Sequence, residues 1–157
     1  MIKKYCLTII SLFTIWLLVS CDETSLEPTT KKFSATINGQ GFEANEIVVV
    51  QNGSTLSISA SSGNKALQII LNNYDGLGEY SLGGNANNNE GKWEAGLGNG
   101  GTFTTLNTNQ NSGMVHVTSS TASSVKGNFD FSAISGNNTV NVTDGVFDLQ
   151  IESMIEN

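Results

Sequence analysis

From Phe33 onward, apolar side chains recur at every second position in short stretches separated by clusters of Asn, Gly and Ser. That period sends alternate side chains to opposite faces of a strand, and no stretch carries the 3.6-residue stripe of an amphipathic helix. The body is therefore predicted to be all-β. The 17 glycines and the many asparagines fit this reading, because they supply the positive φ angles of tight hairpins and would weaken helices.

Turn chemistry and alternation together propose pairings. Phe33, Ala35 and Ile37 pair with Phe42 and Ala44 through Asn38-Gly39 or Gly39-Gln40. Leu56, Ile58 and Ala60 meet Leu67, Ile69 and Leu71 through Gly63-Asn64, a type II′ pair that sets Ala60 opposite Leu67 and Ile58 opposite Ile69. Between these hairpins, a two-residue loop at Asn52-Gly53 turns Ile47 and Val49 inward and requires a bulge near Asn45. A three-residue loop, Gln51 to Gly53, avoids the bulge but turns Glu46 inward; the bulge is favoured. Near the C-terminus, Thr139 to Thr143 and Val146 to Glu152 flank Asp144-Gly145. A type I′ turn there would place Val142 opposite Phe147 and Val140 opposite Leu149. Further strands are expected at Glu79 to Leu82, Lys92 to Leu97, Thr102 to Leu106, Gly113 to Ser119 and Val125 to Ala133. Roughly ten short strands at this spacing predict one antiparallel β-sandwich over residues 33–157, with a closed β-barrel as the alternative.

The amino end follows a different pattern. Lys3 and Lys4 precede an apolar run from Tyr5 to Val19, and Leu18-Val19-Ser20-Cys21 closes it. The run is about 15 residues, short of the roughly 18 that a spanning helix needs, and it reads as a lipoprotein signal peptide over residues 1–20. Cys21 is then the lipid attachment site, carrying a diacylglyceryl thioether and usually an acyl amide such as palmitate. Several chains at about 0.8 kcal/mol per buried CH2 make a near-irreversible anchor. Residues 21–32 form a polar, acidic tether with the only proline, Pro28. As a flexible coil its roughly 11 residues would span about 18 Å, and about 36 Å fully extended.

Charge and cysteine content narrow the partners. Without Lys3 and Lys4 the mature chain has five lysines against 14 acidic residues, a formal charge of −9, and the chain has no arginine. Nucleic-acid binding relies on clustered Lys and Arg, so that partner is excluded from the reading. Cys6 lies in the leader, which leaves the mature body no thiol for a disulfide, a metal or a nucleophile once Cys21 is lipidated.

Several segments resemble a family of small Bacteroidota lipoproteins known only as a domain of unknown function. They are Phe33-Ser34-Ala35-Thr36-Ile37-Asn38-Gly39, Gly78-Glu79-Tyr80-Ser81-Leu82 and Ser112-Gly113-Met114-Val115-His116-Val117-Thr118, with the closing strands Val125 to Phe131 and Val142 to Asp148. Asp22-Glu23 also resembles the surface-export signal of such lipoproteins. The resemblance implies a β fold and an outer-membrane location, extending to the cell surface, and brings no catalytic residue with it.

The residues themselves offer little reactive chemistry. His116, the only histidine, is out of phase with Val115 and Val117, and no Gly-x-Ser-x-Gly elbow accompanies it, so neither a hydrolase triad nor a zinc site is supported. Glycoside hydrolysis needs only two carboxyl groups, and Glu79, Glu90 and Glu94 qualify by type, but nothing sets a pair of them at the required separation. Asn72-Asn73-Tyr74-Asp75-Gly76 and Asn85 to Glu90 are oxygen-rich loops of a kind that can wrap calcium, although ordinary Asn/Gly turn chemistry explains them equally well. Trp93 is in phase with Ala95 and Leu97, and Tyr80 with Leu82, so both are expected in the core. Tyr74, in a turn-rich loop, is expected to join the Asn85 and Gly98 to Gly101 loops in one recognition end. That makes Tyr74, Asp75, Asn85 and Glu90 the candidate ligand residues. The resulting expectation is a non-enzymatic, lipid-anchored binding or structural module of the outer membrane, with no required cofactor and an envelope protein or glycan as partner. A glycan- or calcium-binding accessory protein is the alternative, and a glycoside hydrolase stands behind it.

Overall fold

The computed structural model describes residues 31–84, 88–96, 101–108 and 111–151. The strands are Lys32–Ile37 (β1), Gln40–Glu43 (β2), Glu46–Asn52 (β3), Thr55–Ser62 (β4), Lys65–Leu71 (β5) and Gly78–Leu82 (β6). They continue with Glu90–Glu94 (β7), Thr102–Thr104 (β8), Gly113–Ser120 (β9), Ser124–Ser135 (β10) and Asn138–Gln150 (β11). All are antiparallel and hydrogen-bond as one sheet in the order β2-β1-β11-β10-β8-β7-β5-β4-β3, curled into a half-barrel. The sheet forks at β10, where β9 lies beside Val125 to Phe131, β8 beside Ile134, and β6 beyond β9. The fold is thus all-β and sandwich- or barrel-like, as the alternation predicts.

Three of the local pairings follow from turn chemistry. Asn38-Gly39, both left-handed at φ 47° and 80°, joins Ile37 to Gln40 and sets Ala35 opposite Phe42. Gly63-Asn64 closes β4 and β5 with Ala60 opposite Leu67 and Ile58 opposite Ile69, and only Gly63 has positive φ, the signature of a type II′ turn. The β3–β4 turn is also a two-residue loop, but it sits one position on, at Gly53-Ser54, so Val49 faces Ile58. Val49 is fully buried and Ile47 packs on the core, as the bulge reading requires. Asn45 N–H donates to Ser61 O although Glu46 is the register partner of Ser61, so two residues oppose one at the expected place. One step earlier, Ala44 N–H donates to Phe33 O of β1. Consecutive residues therefore tie strands from the two ends of the sheet order, and the chain bends across the seam at this corner.

The expected Asp144-Gly145 hairpin is overturned. Residues 138–150 form one continuous strand, and the true turn is Gly136-Asn137, which sets Ala133 opposite Val140 and Phe131 opposite Val142. Val142 and Phe147 lie on the same strand. Asp144, left-handed at φ 53°, is an extra residue that shifts the register against both neighbours, between Phe129 and Phe131 on β10 and between Ser34 and Thr36 on β1. One inserted residue restores the inward phase of Phe147 and Leu149 just as a two-residue turn would. A smaller difference is at Leu106, expected to end a strand. It lies in a 3-10 turn, Thr105–Asn107, where its N–H donates to Thr104 Oγ1, and it is solvent-exposed.

Alternating positions on nearly every strand feed one core, including Phe33, Leu56, Ile58, Leu67, Ile69, Leu82, Val115, Val125, Phe129 and Leu149. Each large aliphatic side chain here contributes about 1.5–3 kcal/mol by leaving water. Trp93 and Tyr80 are core residues, as expected, and Asp130 on β10 faces solvent between Phe129 and Phe131. Among the described residues no buried side-chain polar atom lacks a hydrogen-bond partner, and no helix is long and apolar enough to cross a membrane.

Candidate functional site

Cys21 and Asn85 lie outside the described residues, as do residues 1–30, which hold the expected signal peptide and most of the expected tether. The other sequence-predicted ligand residues are placed, and they serve mainly to hold loops. Tyr74 is buried, with its ring 5.6 Å from that of Tyr80 and its hydroxyl 2.7 Å from Ser120 Oγ, so it offers no platform to a ligand. Asp75 Oδ1 accepts from the Tyr80 hydroxyl at 2.7 Å, the Gly76 carbonyl oxygen lies 2.9 Å from the same hydroxyl, and Asp75 N–H donates back to it at 3.2 Å. Burial first, and then the bond to Asp75, raise the Tyr80 phenol above its ordinary pKa. Glu90 Oε1 accepts from Thr104 Oγ1 at 2.7 Å.

The two oxygen-rich loops do meet. Asn72 N–H donates to Asn89 Oδ1 at 2.7 Å, Asn72 Nδ2 donates to Asn88 O at 2.8 Å, and Asn89 Nδ2 donates to Ser81 O at 3.0 Å. The third expected member of that end does not join them. Register places Ile70 beside Glu90 and Ala66 beside Glu94, so Ala95, whose N–H donates to Gly101 O, is at the opposite end of β7. Gly98 itself is outside the described residues. Among the described residues no three His, Cys, Asp or Glu side chains cluster as a metal site. His116 faces outward, its Nδ1 3.5 Å from Glu79 Oε1, and Glu94 Oε1 is 2.7 Å from Lys92 Nζ.

A different site emerges at the Ala95 end of β7. A cleft of about 400 Å³ runs along β2, where the half-barrel stays open between that edge strand and the β4–β5 turn. Its apolar lining comes from Ile37, Phe42, Trp93, Phe103 and Val140, and Phe42 meets Trp93 edge-on at 5.5 Å across the gap. Around this floor stand uncharged hydrogen-bonding side chains, Asn38 and Gln40 from one hairpin and Ser62 and Asn64 from another. Among the described residues, Glu43 and Lys65 are its only charged lining residues. An apolar floor with a few convergent polar groups in the mouth of a barrel, at this volume, suits a small or extended ligand. Sequence reasoning missed this site because its walls come from hairpin ends far apart in the chain. The usable signal was that Phe103, like Trp93, falls next to a glycine-rich turn.

A family model described as a domain of unknown function, DUF6252, matches residues 29–149, and the chain belongs to that family. Neither the curated proteins nor the solved structures contain a match.

Proposed function

We propose that the protein is a lipid-anchored, non-enzymatic binding module of the Bacteroidota outer membrane that takes a neutral glycan in the β2 cleft. The observation that carries the reading is the cleft itself, with part-exposed Phe103 beside the buried rings of Phe42 and Trp93 on its floor and amide and hydroxyl groups on its rim. Sugars present apolar C–H faces edged by hydroxyls, and this lining complements both. Among the described residues Glu43 is the only carboxylate in the lining, whereas general acid and base hydrolysis of a glycoside needs two, which favours binding over turnover. Anchoring at Cys21 rests on Lys3, Lys4, the apolar run and the Leu18-Val19-Ser20-Cys21 box. The chain enters the body at Lys32, at the far end of β1 from Asn38.

Two measurements test the two halves of this proposal. Cys21→Ala should move the protein from the membrane to the soluble fraction, and retention in the membrane would refute the lipid anchor. A thermal-shift screen of neutral oligosaccharides, with calcium as a separate arm, tests the ligand. At 100 times its dissociation constant a ligand adds about 2.7 kcal/mol, a rise of several degrees for a domain of this size. A shift from calcium alone would move the site to the Asn72 and Asn88 loops, and no shift from any sugar would remove the glycan reading.

A further inference from the structure

The strand order ends on β3, and β3 is unlike the other strands that have a single neighbour. The β2 strand is four residues long and carries Glu43, and β6 is five long and carries Glu79, whereas β3 spans seven residues from Glu46 to Asn52. Proteins usually blunt such edges with lysine, proline or a mid-strand bulge, and past the bulge at its first residue β3 has none of these. Because its turn to β4 is a two-residue loop that closes at Asn52 and Thr55, Asn52, Val50 and Val48 spend their backbone groups on β4. Ile47, Val49 and Gln51 point theirs outward, where no strand among the described residues pairs with them. On the outer face Val48 is 51% exposed, next to the partly exposed Val50.

Charge distribution selects the occupant. The chain carries a formal −7, yet from Ile47 to Asn64 there is no charged residue, so the edge and the strand behind it form a neutral surface on an acidic molecule. Another copy of the same acidic chain can approach there without opposing like charges. We propose that β3 pairs antiparallel with β3 of a second copy about a two-fold axis at Val49. In that register Ile47 faces Gln51 of the other chain and both exchange backbone hydrogen bonds. Val48 faces Val50, covering the exposed valines, and Glu46 faces Asn52, never another glutamate. An alternating apolar edge in this register joins the two half-barrels through main-chain bonds, with apolar pairs on the outer face. No residue of β3 lines the β2 cleft.

Val48 and the opposing Val50 form a non-hydrogen-bonded pair, the spacing at which a cross-strand disulfide closes most readily. In the full chain extracted in mild detergent, Val48→Cys combined with Val50→Cys should yield, on gentle oxidation, a reductant-sensitive band of twice the chain mass. The same cysteine pair at Lys126 and Asn128, on a strand flanked by neighbours on both sides, should yield none. Light scattering behind size exclusion should find two chains per particle for the unsubstituted protein and one for Val48→Lys. A single-chain mass for the unsubstituted protein, or equal cross-linking from the two cysteine pairs, overturns the proposal.

Discussion

Phe129, Phe131 and Phe147 each lie across a glycine on the adjoining strand. The register sets Phe129 opposite Gly145, Phe131 opposite Gly113 and Phe147 opposite Gly127. A Cβ on Gly127 would reach 2.5 Å from Phe147 Cζ and collide with the His116 carbonyl, and one on Gly113 would collide with the Asp130 carbonyl and Phe131. Glycine here makes room for a ring. Two strands can then approach and coil strongly while the aromatic covers the exposed backbone, which is how a sheet curls toward a barrel. Alanine at Gly113 or Gly127 should lower unfolding stability by about 1–3 kcal/mol, the usual cost of overpacking. Gly41, with ordinary φ and nothing within 4 Å of a Cβ, should accept alanine with a change within about 0.5 kcal/mol. Denaturant melts of the three variants measure the contrast.

At the scale of elements, the hairpin at Gly63-Asn64 was legible because alternation and turn residues fix the same pairing from neighbouring residues, whereas between Phe33 and Ala44 both Asn38-Gly39 and Gly39-Gln40 keep the apolar side chains on one face and only the folded register chooses the first. The last strand was not legible. From Val142 to Phe147 the inward phase changes parity, and a tight turn at Asp144-Gly145 or one inserted residue repairs it equally well. What decides is distant, because β1 enters from the start of the domain and pairs with both halves of β11. Deletion of Asp144 separates the two arrangements. Removing the extra residue leaves Val142 facing Phe131 and Phe147 facing Gly127 in a regular strand, so the variant should keep cooperative melting and a β spectrum. Deletion of Asn141, which flips Val140 out of the core, should abolish both. Loss of the fold on deleting Asp144 would contradict the bulge.

At the scale of the whole molecule, the half-barrel separates two ends that strand reading alone merged. Tyr74, Asp75 and Tyr80 brace one loop cluster, while the open seam along β2 gathers Phe42, Trp93 and Phe103 from strands about 10 to 60 residues apart. No local pattern marks a cleft whose walls meet only after the sheet has curled, whereas the inward phase of Trp93 could be read from its neighbours. The same geometry supplies a probe. The chain has two tryptophans, and Trp16 lies in the segment proposed to be removed as a signal peptide, so in the protein processed as proposed Trp93 alone reports from the floor of the cleft. Titration with the neutral oligosaccharides of the screen should change Trp93 emission saturably, and replacing Gln40 and Asn64 together with alanine should weaken that response about tenfold or more, the loss of one to two hydrogen bonds to ligand. A sugar that stabilises the protein without altering Trp93 emission, or an emission that stays flat across the whole panel, would contradict binding in this cleft.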